Sequence, residues 1–460
     1  MTLQVYAAWD RKQFAELKSH TDAELEQKLA RAHKAYVTRD GWLKPHQRIA
    51  VLQRLATLVE ARKEQFAQLI AKEGGKPYPD AVVEATRAVD GIRNGADELR
   101  NFGGQEIPMG LTAATEGRWA FTIREPIGVV AAISAFNHPL NLIVHQVVPA
   151  IATGCPVIIK PASATPLCCQ QFVELVWEAG LGQEWCDIYL PETSAGAEKL
   201  ATDSRVAFLS FIGSARVGWY LRTKVAPGTR YALEHGGSAP LLVDEAVDVA
   251  KIVEPITKGG YYHAGQVCVS TQRIFVHESK FDALAEALTA RVSKLRMADP
   301  SLKDTEVGPL ILPKEVERVA EWVDEAVAGG AKVALGGKRA SETTFQPTVL
   351  LEPPKDAKVS RDEVFGPVTC LYRVRSLDEA IAAANSLPLA FQASIFTQNL
   401  DVALRATDRL DAASVMINDH TAFRSDWMPF AGRKHSGYGI GGIPFTMHEM
   451  TQHKMMVFKR

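Results

Sequence analysis

The chain has 460 residues, with 52 Lys and Arg against 53 Asp and Glu and a formal net charge of −1; at about 100–200 residues per domain this length corresponds to about two to four domains. A composition of 47% hydrophobic and 23% charged residues is that of a soluble globular protein, and the balanced charge excludes a polyelectrolyte partner such as nucleic acid or an anionic membrane. No run of 18 apolar residues could span a bilayer. The six cysteines (Cys155, Cys168, Cys169, Cys186, Cys268, Cys370) form no CxxC framework; with no apolar signal-peptide core in MTLQVYAAWDRKQ, they point to reduced thiols in the cytoplasm.

From about residue 46 the apolar positions Leu52, Leu55, Val59, Phe66 and Ile70 recur at helical spacing until Gly74-Gly75 and Pro77 end the pattern. After residue 126 short apolar runs alternate with helical stretches. IGVVAAI (127–133) and PVIIK (156–160) read as buried strands. An amphipathic helix follows from Pro166 to Ala179, and DIYL (187–190), VAFLSF (206–211) and RYAL (230–233) continue the strands. This rhythm predicts a parallel sheet covered by helices. A second series begins after Gly236-Gly237: PLLV (240–243), a helix from about Val247, RIFVH (273–277), helices over about 280–297 and 314–328, VTCLYRV (368–374), ASIFT (393–397) and SVMIN (414–418). Two α/β units therefore meet near residue 236. Thr115–Arg124 and MMVFK (455–459) fit neither unit. They read as sheet edges that pair with another subunit, or as unpaired strands within the chain.

Several partial motifs lead nowhere. His448-Glu449 is followed by His453, five residues after the first histidine rather than four, so on a helix the two face different ways and no zinc site is expected. Gly336-Gly337-Lys338 lacks the rest of a P-loop and reads as a turn. There is no GxSxG, and no GxGxxG follows a strand. Chemistry concentrates elsewhere. Gly265-Gln266-Val267-Cys268 places a thiol after a helical segment. Leu233-Glu234-His235-Gly236-Gly237 places a carboxylate at a strand end, and Phe136-Asn137-His138-Pro139 an amide donor after the first strand. Phe211-Ile212-Gly213-Ser214 runs from a strand into a helix start, whose N–H groups suit a phosphate.

Taken together, ISAFNHPL (133–140), IIKPAS (158–163), FIGSARVG (211–218), LEHGG (233–237), GQVC (265–268), EVFGPV (363–368) and PFAGRKHSGYG (429–439) make the chain resemble the aldehyde dehydrogenase superfamily along nearly its whole length. Glu234 and Cys268 stand 34 residues apart, a spacing that fits the family. The resemblance implies an aldehyde dehydrogenase-like α/β fold. A Rossmann-type NAD(P)-binding domain (1–112 and 126–235) and a second α/β catalytic domain (236–440) would be joined by a small β oligomerisation element (113–125 and 443–460), giving a homodimer or homotetramer.

The implied reaction oxidises an aldehyde to the acid with NAD(P)+. Cys268 would be the nucleophile, and Asn137 and the Cys268 N–H the oxyanion donors. Glu234 would be the base that activates water against the thioester. Lys160 would hold the adenosine ribose and Glu363 the nicotinamide ribose, with Gly213 and Ser214 near the pyrophosphate and Phe365 flanking the nicotinamide. Many NAD-preferring relatives carry a glutamate where this chain has Ser163, so the small uncharged side chain predicts that NADP is accepted. A CoA-acylating enzyme and a non-catalytic NAD(P)-binding paralogue are the alternatives; Glu234 argues against the first, and the joint presence of Cys268, Asn137 and Glu234 against the second. The sequence departs from the family's usual pattern at Phe136, Ile212, His263 and Gly441-Gly442. His138, Asn141 and His145 make the expected aldehyde tunnel polar, and Arg424 near its mouth would pair with a carboxylate, phosphonate or sulfonate. A small polar or anionic, semialdehyde-like substrate is the expectation.

Overall fold

The computed structural model describes residues 2–460. Two parallel sheets organise it, each assembled from the apolar runs that alternate with helices. In the first, the strands Arg230–Glu234, Val206–Ile212, Val129–Ile133, Val157–Lys160 and Cys186–Ile188 lie side by side in that order, and the short strand Gly437–Tyr438 closes one edge antiparallel to Arg230–Glu234. Val129–Ile133 is buried at every position because helices cover both faces. The helices Pro45–Ala61, Lys63–Gly74, Tyr78–Glu98 and Asn141–Thr153 build the core on one face, and Asp22–Val37 with Ala215–Arg222 covers the other.

The chain runs outward from Val129–Ile133 in both directions, first to Val157–Lys160 and later to Val206–Ile212. The crevice at the carboxyl ends of these strands is therefore a topological switch point, where open α/β sheets bind ligands. Register brings the candidate groups to that edge: Ile133 pairs with Lys160 and with Phe211, and Ile212 pairs with Glu234.

The second sheet runs Lys332–Leu335, Thr348–Leu351, Val368–Val374, Arg273–His277, Pro240–Val243, Gln392–Phe396 and Ser414–Ile417, all parallel except the first. Its core is separate from the first.

Four elements differ from their sequence reading. The long helix expected from residue 46 is two helices, interrupted at Arg62, which leaves helical geometry (φ −108°, ψ 14°) and sends its guanidinium to Glu178 at 3.0 Å. The helix expected to reach residue 297 ends at Val292. An antiparallel pair, Thr2–Tyr6 with Gln13–Lys18, precedes the first helix. Arg118–Pro126 and Thr451–Lys459 are neither unpaired nor committed to another chain for their pairing: they pair with each other, Thr451 opposite Pro126 through Lys459 opposite Arg118. The helix Ile443–Glu449 before the last strand packs Ile443 and Met447 into the first core.

Candidate active site

A cavity of about 1360 Å³ opens at the carboxyl edge of the first sheet and extends to loops of the second. It exceeds the roughly 300–1,000 Å³ of an ordinary small-ligand pocket. Its wall includes Asn137, His138, Asn141, Lys160, Ser163, Gly213, Ser214, Glu234, Cys268, Glu363, Phe365 and Arg424. Among the side chains that the sequence assigns to catalysis, cofactor or substrate, His145 alone is missing from it.

The loop that presents Cys268 is built from unusual backbone. His263, Ala264 and Gly265 all take left-handed φ values of 49°, 55° and 71°. Such conformations cost about 1–3 kcal/mol each for residues other than glycine. A Cβ at Gly265 would fall 2.1 Å from the Gly366 carbonyl oxygen, so the third position admits only glycine. Gln266 secures the turn: its Nε2 donates to the carbonyls of His263 and Pro309, and its Oε1 accepts from Ile311 N–H at 2.9 Å. The Cys268 carbonyl accepts from Gly237 N–H at 3.1 Å, tying the thiol's segment to the loop after Glu234. Cys268 is half-buried while the other five cysteines are buried. Burial, together with the carboxylates of Glu234 and Glu363, pushes its thiol well above the ordinary value, and the Arg424 charge opposes them. Glu234 ends its strand inside the cavity; burial lifts its carboxyl to about 7, again against Arg424. That value suits a group exchanging protons near neutrality.

At the opposite end, Lys160 finishes Val157–Lys160, and burial lowers its ammonium. Ser163 is exposed on the following turn. The Gly213 N–H already donates to the Glu234 carbonyl at 3.0 Å, and the Gly213 carbonyl is bonded to His235 Nδ1 at 2.9 Å. The loop is thus shaped by the strand that ends in Glu234, and Gly213 contributes its position rather than a free donor. Glu363 is held by its neighbours: Val364 N–H donates to Gln272 Oε1 at 2.9 Å, and Gln272 Nε2 to the carbonyls of Val359 and Asp362. Its own Oε1 is buried without a hydrogen-bond partner, and it packs where a Cβ on residue 236 would lie, 1.7 Å away, so Gly236 is what admits it. Burial raises its carboxyl to about 8. A buried oxygen left without a donor calls for one from a bound molecule. Phe365 (φ 47°) meets Phe136 edge-on at 5.8 Å.

The remaining end holds two guanidiniums. Arg424 stacks on Phe430, 3.5 Å from the ring centroid, and its Nε is buried without a partner. Arg87, on Tyr78–Glu98, also lines the cavity and grips Asp426 through Nη2–Oδ1 at 2.7 Å and Nε–Oδ2 at 3.2 Å. Nothing in the sequence marks Arg87: its partner is 339 residues away.

Asn141 and His145, one helical turn apart, both face Asp426, at 3.0 and 2.7 Å. This corrects the placement of His145, which stands behind the cavity wall. Burial and the Arg424 charge lower its imidazole to about 4. Neutral, with Nε2–H donating to Asp426, it offers Nδ1 to Arg424 Nη2 at 3.3 Å. Against the upward pull of burial, His145 and Arg87 hold the Asp426 carboxyl far below its ordinary range. His138 bonds Tyr262 Oη at 3.1 Å, and burial with nearby Lys76 and Arg87 keeps it neutral.

His448 and His453 are separated by structure as well as spacing. The first ends a helix against Phe102, and the second sits on the last strand.

The aldehyde dehydrogenase family model matches residues 1–456. A 3-sulfolactaldehyde dehydrogenase of Priestia aryabhattai is 35% identical over 455 residues, covering 99% of this chain and 94% of that protein. Among solved structures, aldehyde dehydrogenase 21 from Physcomitrella patens, in complex with the reaction product succinate, superposes with a TM-score of 0.96 at 33% identity, covering 100% of this chain and 95% of that one. Glyceraldehyde-3-phosphate dehydrogenase from Methanocaldococcus jannaschii, complexed with NADP, gives 0.95 at 31% identity, covering 100% and 99%.

Proposed function

From the premise that the chain belongs to the aldehyde dehydrogenase family and is an NAD(P)-dependent aldehyde dehydrogenase acting on a small polar aldehyde, we propose that its substrate carries an anionic group and that Cys268, Glu234 and Asn137 perform the chemistry. One observation carries the substrate reading: Arg87 and Arg424 line one cavity with Cys268, and the Arg424 Nε is buried without a partner. A buried guanidinium with a free donor is costly unless something pairs with it. Its fork matches a carboxylate, phosphonate or sulfonate. The names of the relatives point the same way, to a sulfonated aldehyde, a succinate product and a phosphorylated aldehyde.

In this reading the Glu234 carboxylate takes the Cys268 thiol proton and passes it to solvent, the sulfur adds to the aldehyde carbon, and the Asn137 amide and the Cys268 N–H receive the oxygen's developing charge. The nicotinamide ring, when bound, supplies the hydride acceptor. Loss of hydride leaves a thioester on Cys268, and Glu234 takes a proton from the water that hydrolyses it. The residues of the other arm fit an NAD(P) molecule: Glu363 would offer its unpaired oxygen to a ribose hydroxyl, Phe365 would flank the ring, and Lys160, Ser163, Gly213 and Ser214 would hold the rest of the nucleotide.

The same reading assigns residues 1–112 and 126–235 to the cofactor domain and 236–440 to the catalytic domain. It places the enzyme in the cytoplasm, which the six unpaired thiols favour. Among the described residues no helix is long and apolar enough to cross a membrane.

The test compares anionic with neutral small aldehydes. Compared at a pH above the range in which Glu234 titrates, Arg424→Ala and Arg87→Ala should each lower kcat/KM for anionic aldehydes by about tenfold or more, as expected for lost charge-assisted bonds, and by clearly less for neutral ones. Cys268→Ser should turn over neither class while still binding cofactor. Unchanged KM for both classes in Arg424→Ala would refute the anionic substrate, and ordinary turnover by Cys268→Ser would refute the nucleophile.

A further inference from the structure

Asn137 lies in a stretch of chain that no ladder or helix holds. Between Ile133, the last residue of its strand, and Asn141, the first of its helix, the backbone is irregular. An oxyanion donor must nevertheless be fixed to within a fraction of an ångström to stabilise a transition state. Something outside the stretch has to grip it.

The grip is a buried ion pair. Lys76 lies just before the helix Tyr78–Glu98 and Glu84 in its second turn, and both side chains are 0% exposed. Lys76 Nζ bonds Glu84 Oε2. The other carboxylate oxygen, Oε1, accepts from Leu140 N–H at 3.0 Å and Asn141 N–H at 3.1 Å. These are two of the N–H groups that a helix start leaves without intrahelical partners, and they lie three and four residues after Asn137. From the other side, His138 is bonded to Tyr262 Oη at 3.1 Å, and the Lys76 ammonium lies 5.7 Å from the Tyr262 ring centroid. The residue next to Asn137 and the backbone just beyond it are thus held by groups that converge on Lys76. A wholly buried ion pair adds little stability over apolar side chains of the same size, so its geometry calls for another role.

We propose that Glu84 is a positioning residue for the reaction. Paired with Lys76, it fixes the backbone after Asn137 and so places the Asn137 amide where the substrate oxygen gathers charge. This rests on reading Asn137 as the oxyanion donor. Glu84→Gln would turn an amide NH2 or a weaker acceptor toward partners that need a carboxylate. Glu84→Asp would keep the charge but withdraw Oε1 from the two N–H groups.

The experiment is a double-mutant cycle. Kinetics are measured for the full-length enzyme, Glu84→Gln, Glu84→Asp, Asn137→Ala and the combined variants, together with the rate of Cys268 alkylation by iodoacetamide. Alkylation reads the thiol without using the oxyanion site. Each Glu84 variant should lower kcat by roughly tenfold or more, part of the 10²–10³-fold that losing a whole donor costs, with cofactor KM and alkylation within about twofold of the parent. Neither should lower kcat further in the Asn137→Ala background. If the losses multiply, or alkylation falls in parallel with kcat, Glu84 does not act through Asn137 and the proposal is overturned. If Asn137→Ala alone leaves kcat intact, the oxyanion reading itself fails and takes the proposal with it. Should Glu84→Gln not fold, Glu84→Asp carries the same cycle with the same two outcomes.

Discussion

Glu234 and Arg424 are coupled through the cavity they share, and that coupling has a sign. Burial lifts the Glu234 carboxyl to about 7, and the guanidinium pulls it back toward the ionised form. Only the carboxylate can take a proton from water, so turnover limited by thioester hydrolysis should fall as pH drops through about 7. Removing the guanidinium leaves burial unopposed. Arg424→Ala should therefore move the acid limb of the kcat profile to higher pH, measured on a neutral aldehyde so that substrate binding does not intrude. A limb that stays put, or moves down, would show that Glu234 is not the titrating base.

These two residues also mark what was legible in the sequence. Cys268, Glu234 and Asn137 were readable because each sits in a short motif whose order along the chain is itself a signal. Arg87 was not, since its role depends on meeting Asp426 across the fold. His145 was legible as polar but not as to direction: one helical turn after Asn141, it shares Asp426 with that residue instead of facing the cavity.

Strand ends and helix starts decide where the cofactor groups stand. Because Ile133 pairs with Lys160, the turn that follows the strand delivers Ser163 to the cavity's rim, exposed and uncharged. The alternation of apolar runs and helices made these elements visible, since a parallel sheet covered on both faces needs continuous apolar strands. What it could not show was the break at Arg62, where the apolar spacing carries on through a residue that leaves the helix, or the pairing of Thr2–Tyr6 with Gln13–Lys18, whose strands are short and half polar. A carboxylate at position 163, three residues beyond Lys160, would repel a 2′-phosphate. The parent enzyme should accept NADP, and Ser163→Glu should lower kcat/KM for NADP by about tenfold or more while sparing NAD, a change of about 1.4 kcal/mol or more. Measuring kcat/KM with both cofactors decides it: a parent preference for NAD of about a hundredfold or greater would rule the reading out.

At the scale of the molecule, the three-stranded sheet stands apart from both cores. Its outer strand, Thr451–Lys459, pairs with Arg118–Pro126 along one edge and with nothing among the described residues along the other. A nine-residue strand with an open edge is a template for another chain unless charge or proline blunts it. On one face, register sets Trp119 opposite Phe458 and Phe121 opposite Met456; Trp119 and Phe458 are 57% and 53% exposed. Contiguous exposed aromatic surface of this kind marks an interaction site, and a net charge of −1 offers little repulsion between copies. From sequence both strands read as sheet edges that pair with another subunit or as unpaired strands within the chain. Since the two satisfy each other, the open edge and the aromatic face are what remain for a partner, and we propose that a second copy of the chain covers them. Sedimentation should then give a multiple of the 50.3 kDa chain mass. Replacing Trp119 and Phe458 together with glutamate should shift the enzyme toward monomer while leaving the first sheet's core, and hence cofactor binding, in place. A parent that sediments as a monomer at micromolar concentration, or a doubly substituted enzyme that stays assembled, would place the subunit contact elsewhere.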